Sequence, residues 1–61
     1  MFGILRSDGK WYCGTVDREA SWEAELANSG CFSSEEAAHV RRAGLQEEDE
    51  EHTFEVIPVT G

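Results

Sequence analysis

The chain has 61 residues and a formal net charge of −8, from thirteen acidic and five basic side chains. A domain of about 60 residues buries only about 60% of the surface of its unfolded chain, which leaves no room for both a core and a deep catalytic cleft. The negative field repels nucleic acid and anionic membranes, so direct binding to either is disfavoured and a basic protein is the expected partner.

The apolar residues suffice for a small core, and we expect one folded domain over residues 1–61 and not a disordered acidic chain. No segment approaches the about 20 apolar residues of a membrane span, and the N-terminus lacks the apolar centre of a signal peptide. A cytoplasmic location is therefore expected. The predicted core consists of Phe2, Ile4, Leu5, Trp11, Tyr12, Val16, Trp22, Leu26, Phe32, Val40, Leu45, Phe54, Val56, Ile57 and Val59.

The first predicted element is a β-hairpin between residues 2–6 and 11–16. Both segments are rich in aromatic and other residues that favour strands. Between them, Asp8 and Gly9 are typical of a two-residue type I′ turn, in which both positions have positive φ angles. This turn fixes the predicted pairing of the two strands.

The pairing predicts which side chains share a face of the sheet. A two-residue loop places Ile4 opposite Cys13 and Arg6 opposite Trp11. The two faces are then expected to carry Phe2, Ile4, Trp11 and Cys13 on the core side, and Leu5 and Tyr12 on the other. An outward-facing Tyr12 would be suited to anchor an interface.

A short helix is predicted next. Ser21 is a good N-cap, and Trp22 and Leu26 lie four residues apart, as they would on one face of a helix. Asn28 and Gly30 are expected to end it.

The main helix is predicted over residues 34–43. Ser33 followed by Glu36 three residues later matches a capping box, in which each satisfies a backbone N–H of the first turn. Ala37 and Val40 are expected to face the sheet.

The end of this helix is predicted from three signals. Arg41 and Arg42 fall in its last turn, where the helix dipole favours cations. Gly44 followed by Leu45 fits a helix-ending residue in the left-handed conformation, with an apolar contact back to Val40.

A third strand is predicted within residues 52–60, where Pro58 marks an edge position or the end of the strand. The predicted fold is α+β: a small antiparallel sheet of about three strands with one main helix, in ββαβ order, and the short extra helix.

The arrangement resembles very small proteins encoded by bacteriophages. The resemblance rests on Trp22, Leu26, Phe32 and the segment SSEEA at residues 33–37, following a hairpin with a glycine turn and an aromatic second strand. Compact, strongly acidic chains of this kind are also similar to anti-CRISPR proteins, some of which imitate DNA to block a CRISPR effector. The resemblance implies a phage-encoded, non-enzymatic inhibitor without cofactor that acts in the bacterial cytoplasm. It implies no individual site residue, because those inhibitors share no common motif.

Two acidic clusters are the candidate partner-binding sites. Carboxylates at alternate strand positions lie about 6.6 Å apart, and helical i,i+4 pairs about 5 to 6 Å apart at Cβ, which is comparable to the spacing of phosphates along a DNA strand. We expect them to occupy a groove lined by Lys and Arg. The acidic run is Glu47, Glu48, Asp49, Glu50 and Glu51; the second cluster is Asp17, Glu19, Glu23 and Glu25. The alternatives are a solvated loop that maintains solubility and a salt-adapted surface.

Two further classes of function stay open. One is an assembly module that forms a homodimer by strand pairing at the edge near Pro58. The other is a small metal-binding domain using Cys13, Cys31, His39 and His52, although close ligand spacing is missing. Without metal, both cysteines are expected to be buried and reduced, or to form a disulfide under oxidising conditions. His39 is then a partly buried structural residue, and His52 pairs with neighbouring acids.

Overall fold

A computed structural model of the chain describes residues 1–26 and 30–59. Their elements are β1 (Phe2–Arg6), β2 (Trp11–Val16), β3 (Glu19–Glu23), α1 (Glu35–Glu48) and β4 (Phe54–Pro58). The strands form one antiparallel sheet in the order β3-β2-β1-β4, and α1 packs against β1 and β4. The predicted α+β class, with one antiparallel sheet and one main helix, is confirmed. The predicted ββαβ order is wrong, because an additional strand, β3, precedes the helix and makes the order βββαβ.

The extra strand replaces the predicted short helix, because Ser21 lies within β3. Asp17 and Arg18 have φ angles of 51° and 68° and connect the paired residues Val16 and Glu19. Two consecutive positive φ angles in a two-residue loop form a type I′ turn. Asp-Arg is an uncommon sequence for this turn, so the sequence carried no clear signal for a second hairpin.

Tertiary contacts favour the strand at Trp22. Trp22 pairs with Tyr12 across β2 and β3, and their rings meet edge to face with centroids 5.7 Å apart. The local i,i+4 relation between Trp22 and Leu26 is worth only about 0.2–0.5 kcal/mol in a helix, less than the burial of an aromatic side chain. Asn28, predicted to end the helix, lies outside the described residues.

The β1–β2 turn has one residue more than predicted. The Gly9 N–H donates to the carbonyl oxygen of Arg6 (2.9 Å), and the Arg6 N–H donates to the carbonyl oxygen of Lys10 (2.8 Å). Gly9 has a φ of 89°, so the loop is a three-residue turn that ends in a glycine bulge. Leu5, not Arg6, therefore lies opposite Trp11.

A one-residue change of pairing moves side chains to the opposite face. Tyr12 is buried, at 5% exposure, in the cluster that contains Ile4, so its predicted outward position is wrong. Trp11 and Cys13 are half-buried and lie on the outer face with Leu5, so their predicted place on the core face is also wrong. Burial raises the pKa of the Cys13 thiol.

Residues 30–32 contact both β1 and β2. Phe32 exchanges two backbone hydrogen bonds of 2.8 Å with Phe2, and its ring stacks on that of Tyr12, with centroids 6.0 Å apart. Gly30 is buried against the backbone of Tyr12. Gly14, at a φ of 104°, lies where the pairing of β2 with β3 shifts.

The helix begins one residue later than predicted. Its N-cap is Ser34, whose Oγ accepts from the Ala37 N–H at 3.1 Å. The predicted capping box of Ser33 and Glu36 is therefore wrong, because the third helical position holds an alanine. Ala37 is exposed, contrary to prediction, and the buried helical residues are Ala38 and Leu45.

The helix also continues past Gly44 to Glu48, so the predicted end at residue 43 is wrong. Ala38 and Leu45 are seven residues apart, two helical turns, and both face the sheet; ending at Gly44 would remove Leu45 from this face. Arg41 and Arg42 consequently lie before the last turn, which holds no basic residue. Within the described chain, no helix is long and apolar enough to cross a bilayer.

The core is smaller than predicted. Its buried cluster is Ile4, Tyr12, Leu45 and Phe54, with Ala20, Trp22 and Phe32 packed against it. Val16, Leu26 and Val40 are instead exposed, at 62%, 39% and 70%. Pro58 ends β4, which is an edge strand, as predicted.

Candidate partner-binding surface

The acidic run is divided between the end of α1 and the loop that follows. Glu47 and Glu48 lie in the last helical turn, and both are exposed. The C-terminus of a helix carries partial negative charge, so these carboxylates lie at its unfavourable end. A cation placed beside them would stabilise both the side chains and the helix.

Asp49 is half-buried and is held in place by several hydrogen bonds. It is the C-cap of α1, and its N–H donates to the carbonyl oxygen of Leu45 at 3.1 Å. Its carboxylate accepts from the N–H groups of Glu51 (3.0 Å) and His52 (3.3 Å) and from His52 Nδ1 (2.8 Å). The hydrogen bond from His52 lowers the pKa of Asp49. The predicted pairing of His52 with a neighbouring acid is confirmed.

Gln46 closes the loop between α1 and β4. Its Nε2 donates to the carbonyl oxygens of Asp49 (3.1 Å) and His52 (2.7 Å). Glu50 and Glu51 are exposed within this closed loop. The loop therefore presents two carboxylates on a backbone that is tied at both ends.

A second set of bonds fixes this loop to the β1–β2 turn. The Ser7 N–H donates to the carbonyl oxygen of Thr53 (2.9 Å), and the Thr53 N–H donates to Ser7 Oγ (3.2 Å).

Arg6 donates to both carboxylate oxygens of Asp8, at 2.9 and 2.7 Å, and lowers the pKa of Asp8 to about 2. The Arg6 guanidinium lies 4.6 Å from the ring centroid of Trp22. The sequence did not indicate this ion pair, because Arg6 was expected to face Trp11.

The second cluster is spread over both ends of β3. Glu19 and Glu23 are its first and last residues, about 13 Å apart for a strand of this length. Asp17 lies in the preceding turn and Glu25 follows the strand; all four are exposed.

One end of the second cluster meets the acidic run. An open groove of about 290 Å³ is lined by Glu19 and Arg18 on one side and by Glu48 and Asp49 on the other. Glu23 and Glu25 instead line a separate depression with Leu26. Glu19 therefore lies beside the acidic run, whereas Glu23 and Glu25 lie away from it.

The four residues of the metal alternative do not come together. Among the described residues, no group of three or more His, Cys, Asp or Glu side chains could hold a metal ion. His39 is exposed, contrary to the prediction of partial burial, and its Nε2 lies 4.0 Å from Glu35 on the same helix. Cys13 and Cys31 are half-buried thiols.

Comparisons with protein-family models, with curated proteins and with solved structures found no match to this chain.

Proposed function

We propose that this chain is a non-enzymatic inhibitor that binds a basic, nucleic-acid-binding protein through its acidic surface and blocks DNA binding. The observation that carries the proposal is the exposure of eight of the nine acids in the two clusters. Among the ion pairs of the described residues, only the pair between Asp49 and His52 includes a member of these clusters. The remaining eight carboxylates support the proposal, because they are exposed and take part in none of these ion pairs.

The free protein bears a cost that such a partner would remove. Like charges repel across a compact domain of charge −8. Glu48 and Glu19 face the same groove with Arg18 as the basic residue of its lining. A Lys- and Arg-lined channel relieves this repulsion when it closes over the acidic surface, so binding gains from charges that destabilise the free state.

The partner class follows from the same chemistry. A channel lined with Lys and Arg is the surface with which proteins hold the phosphates of DNA. Of such proteins, CRISPR effectors are those suggested by the resemblance to phage-encoded anti-CRISPR proteins. The mechanism is occupation of the channel, in which exposed carboxylates take the places of phosphates and exclude target DNA.

The proposal is tested by DNA displacement. Labelled target DNA is bound to each of a panel of purified CRISPR effector complexes, and its fluorescence anisotropy is followed while the protein is added. We expect DNA to be displaced from at least one effector. The affinity of the chain for that effector, measured directly and without DNA, should fall steeply as ionic strength rises from about 0.01 M to about 1 M, because the screening length falls from about 30 Å to about 3 Å.

Two results would contradict the proposal. An affinity of the chain for the effector that is insensitive to salt in the absence of DNA would show that an apolar interface, and not charge, holds the partner. No displacement from any effector, together with no displacement from basic DNA-binding proteins outside the CRISPR class, would leave acidity as a device for solubility.

A further inference from the structure

A row of four side chains crosses the sheet on the face opposite α1. Glu23 pairs with Trp11, Trp11 with Leu5, and Leu5 with Glu55. Directly paired residues project to the same face of a sheet. The four side chains therefore form one row, in the order acidic, aromatic, aliphatic and acidic. Its neighbour Ile4 projects to the other face, into the core.

The centre of the row is a partly open apolar platform. Trp11 and Leu5 are half-buried, whereas Leu26 is 39% exposed. A Cβ on Gly3 would lie 3.0 Å from Leu26 Cδ1 and 3.2 Å from the Trp11 ring. Both side chains therefore lie directly over the glycine. Ile57, which pairs with Gly3, extends the platform onto β4.

The ends of the row are negative. Glu23 and Glu55 are exposed on the two edge strands. Three strand spacings separate them, which is about 14 Å at the backbone. The row itself contains no Lys or Arg. A second copy stacked on this face would bring glutamates towards glutamates, so the charges disfavour self-association here.

A different occupant complements both parts of the row. An apolar side chain can pack on Trp11 and Leu5, and Lys or Arg on either side can reach Glu23 and Glu55. The face of a tryptophan ring also attracts cations directly. Aromatic residues at the centre of a contact, surrounded by polar groups, are the usual arrangement of a binding hot spot.

We infer that the outer face of the sheet, centred on the row Glu23-Trp11-Leu5-Glu55, is a docking surface for a protein segment in which apolar side chains are flanked by Lys or Arg. The inference deepens the proposed function, on which it rests for the basic character of the partner. It assigns binding roles to Trp11, Leu5 and Glu55, which belong to neither acidic cluster. It predicts a contact that depends on both apolar burial and charge.

The test uses three synthetic peptides as probes. Lys-Lys-Phe-Leu-Lys-Lys carries both features, Lys-Lys-Ser-Ser-Lys-Lys keeps only the charge, and Glu-Glu-Phe-Leu-Glu-Glu keeps only the apolar pair; all have blocked termini. Each is titrated into the ¹⁵N-labelled protein, and amide shifts are followed by NMR. We expect the first peptide to bind about tenfold more tightly than the second, from burial of its apolar pair. Its shifts should centre on Leu5, Trp11 and Glu55, including the Trp11 indole N–H.

Matched variants separate this face from the acidic loop. Glu23→Gln with Glu55→Gln changes the net charge from −8 to −6, and Glu50→Gln with Glu51→Gln makes the same change in the loop. All four side chains are exposed, so both variants should fold. We expect the first pair to weaken binding of Lys-Lys-Phe-Leu-Lys-Lys several-fold more than the second pair. Trp11→Ala should abolish the preference for the apolar probe, and the folded state of each variant is checked by its amide spectrum.

The outcomes distinguish this inference from the proposed function. Equal binding of the two lysine peptides, with shifts confined to residues 47–52, would overturn the sheet-face inference and leave the acidic mechanism intact. Binding of neither lysine peptide would overturn the inference, whereas DNA displacement in the effector assay would still support the proposed function. Tight binding of the glutamate peptide would overturn the charge argument in this inference.

Discussion

The backbone of Gly30 lies so close to Tyr12 that a Cβ on Gly30 would be 1.8 Å from the Tyr12 carbonyl oxygen. It would also lie 2.8 Å from the Cα of Cys13. Both contacts are with backbone, which cannot move aside as the end of a side chain can. Glycine is therefore required at position 30 by space, and the approach brings Phe32 into register with Phe2.

Gly30→Ala should lower the free energy of unfolding by about 3 kcal/mol or more, at the upper end of the cost of overpacking. The added methyl group must push residues 30–32 away from β2 and disturb the stacking of Phe32 on Tyr12. Urea unfolding followed by tryptophan fluorescence measures the change. A loss below about 0.5 kcal/mol would show that residues 30–32 do not pack this closely on β2.

Gly44→Ala is the matched control, with the opposite sign. Nothing lies within 4 Å of a Cβ at Gly44, and the residue is inside α1. Alanine should raise the free energy of unfolding by about 1 kcal/mol, because glycine is the less favourable residue within a helix. The same urea experiment checks this. Destabilisation would indicate that Gly44 adopts the left-handed conformation and that the helix ends there.

The Arg6–Asp8 ion pair predicts a dependence of stability on acid. Its hydrogen bonds lower the pKa of Asp8 from 3.8 to about 2. The carboxylate therefore stabilises the fold above about pH 4, and this contribution is lost as the pH falls through about 2. The difference in unfolding free energy between the parent and Asp8→Asn should be constant from about pH 5 to 7 and disappear towards pH 2.

The difference between the two proteins is the informative quantity in that experiment. Protonation of the other acids relieves repulsion and alters both proteins alike, so subtraction removes it. A difference that persists unchanged to pH 2 would contradict a role for the ionised carboxylate of Asp8.

Replacing the four exposed glutamates of the acidic run should separate binding from folding. Glu47→Gln, Glu48→Gln, Glu50→Gln and Glu51→Gln together change the net charge from −8 to −4. Stability should rise by about 1 kcal/mol, chiefly because two charges leave the negative end of α1. Partner affinity should fall strongly, mainly through the association rate at low salt. Thermal unfolding and stopped-flow binding measure the two effects.

The second cluster provides the comparison. Glu19→Gln, Glu23→Gln and Glu25→Gln change the net charge from −8 to −5 and should cost less affinity if the acidic run dominates. A larger loss of affinity would indicate that the main contact is at β3. Parental binding by both variants would show that neither cluster contributes, including Glu23 of the outer-face row, and would leave Trp11, Leu5 and Glu55 of that row as the contacts to test.

Some of the candidate surface was predictable from local chemistry. Carboxylates favour water over the interior of a small domain, so the exposure of Glu50 and Glu51 follows from residue type. The pairing of His52 with a neighbouring acid was also predictable, but the role of Asp49 as C-cap of α1 was not, because it depends on the helix continuing past Gly44. The outer-face row was missed for a similar reason: an error of one residue at Gly9 placed Trp11 on the core side.

The sequence by itself determined the existence of the β1–β2 hairpin, the main helix and the final strand, because strand-favouring runs, a turn glycine and helix-capping residues act over a few positions. Only the tertiary structure decided the length of α1, the strand at Trp22 and the pairing at Leu5. The physical reason is that Leu45 is buried, and Trp22 partly buried, by residues distant in the chain. The energy of that burial exceeds the local preferences of Gly44 to end a helix and of Ser21 to begin one.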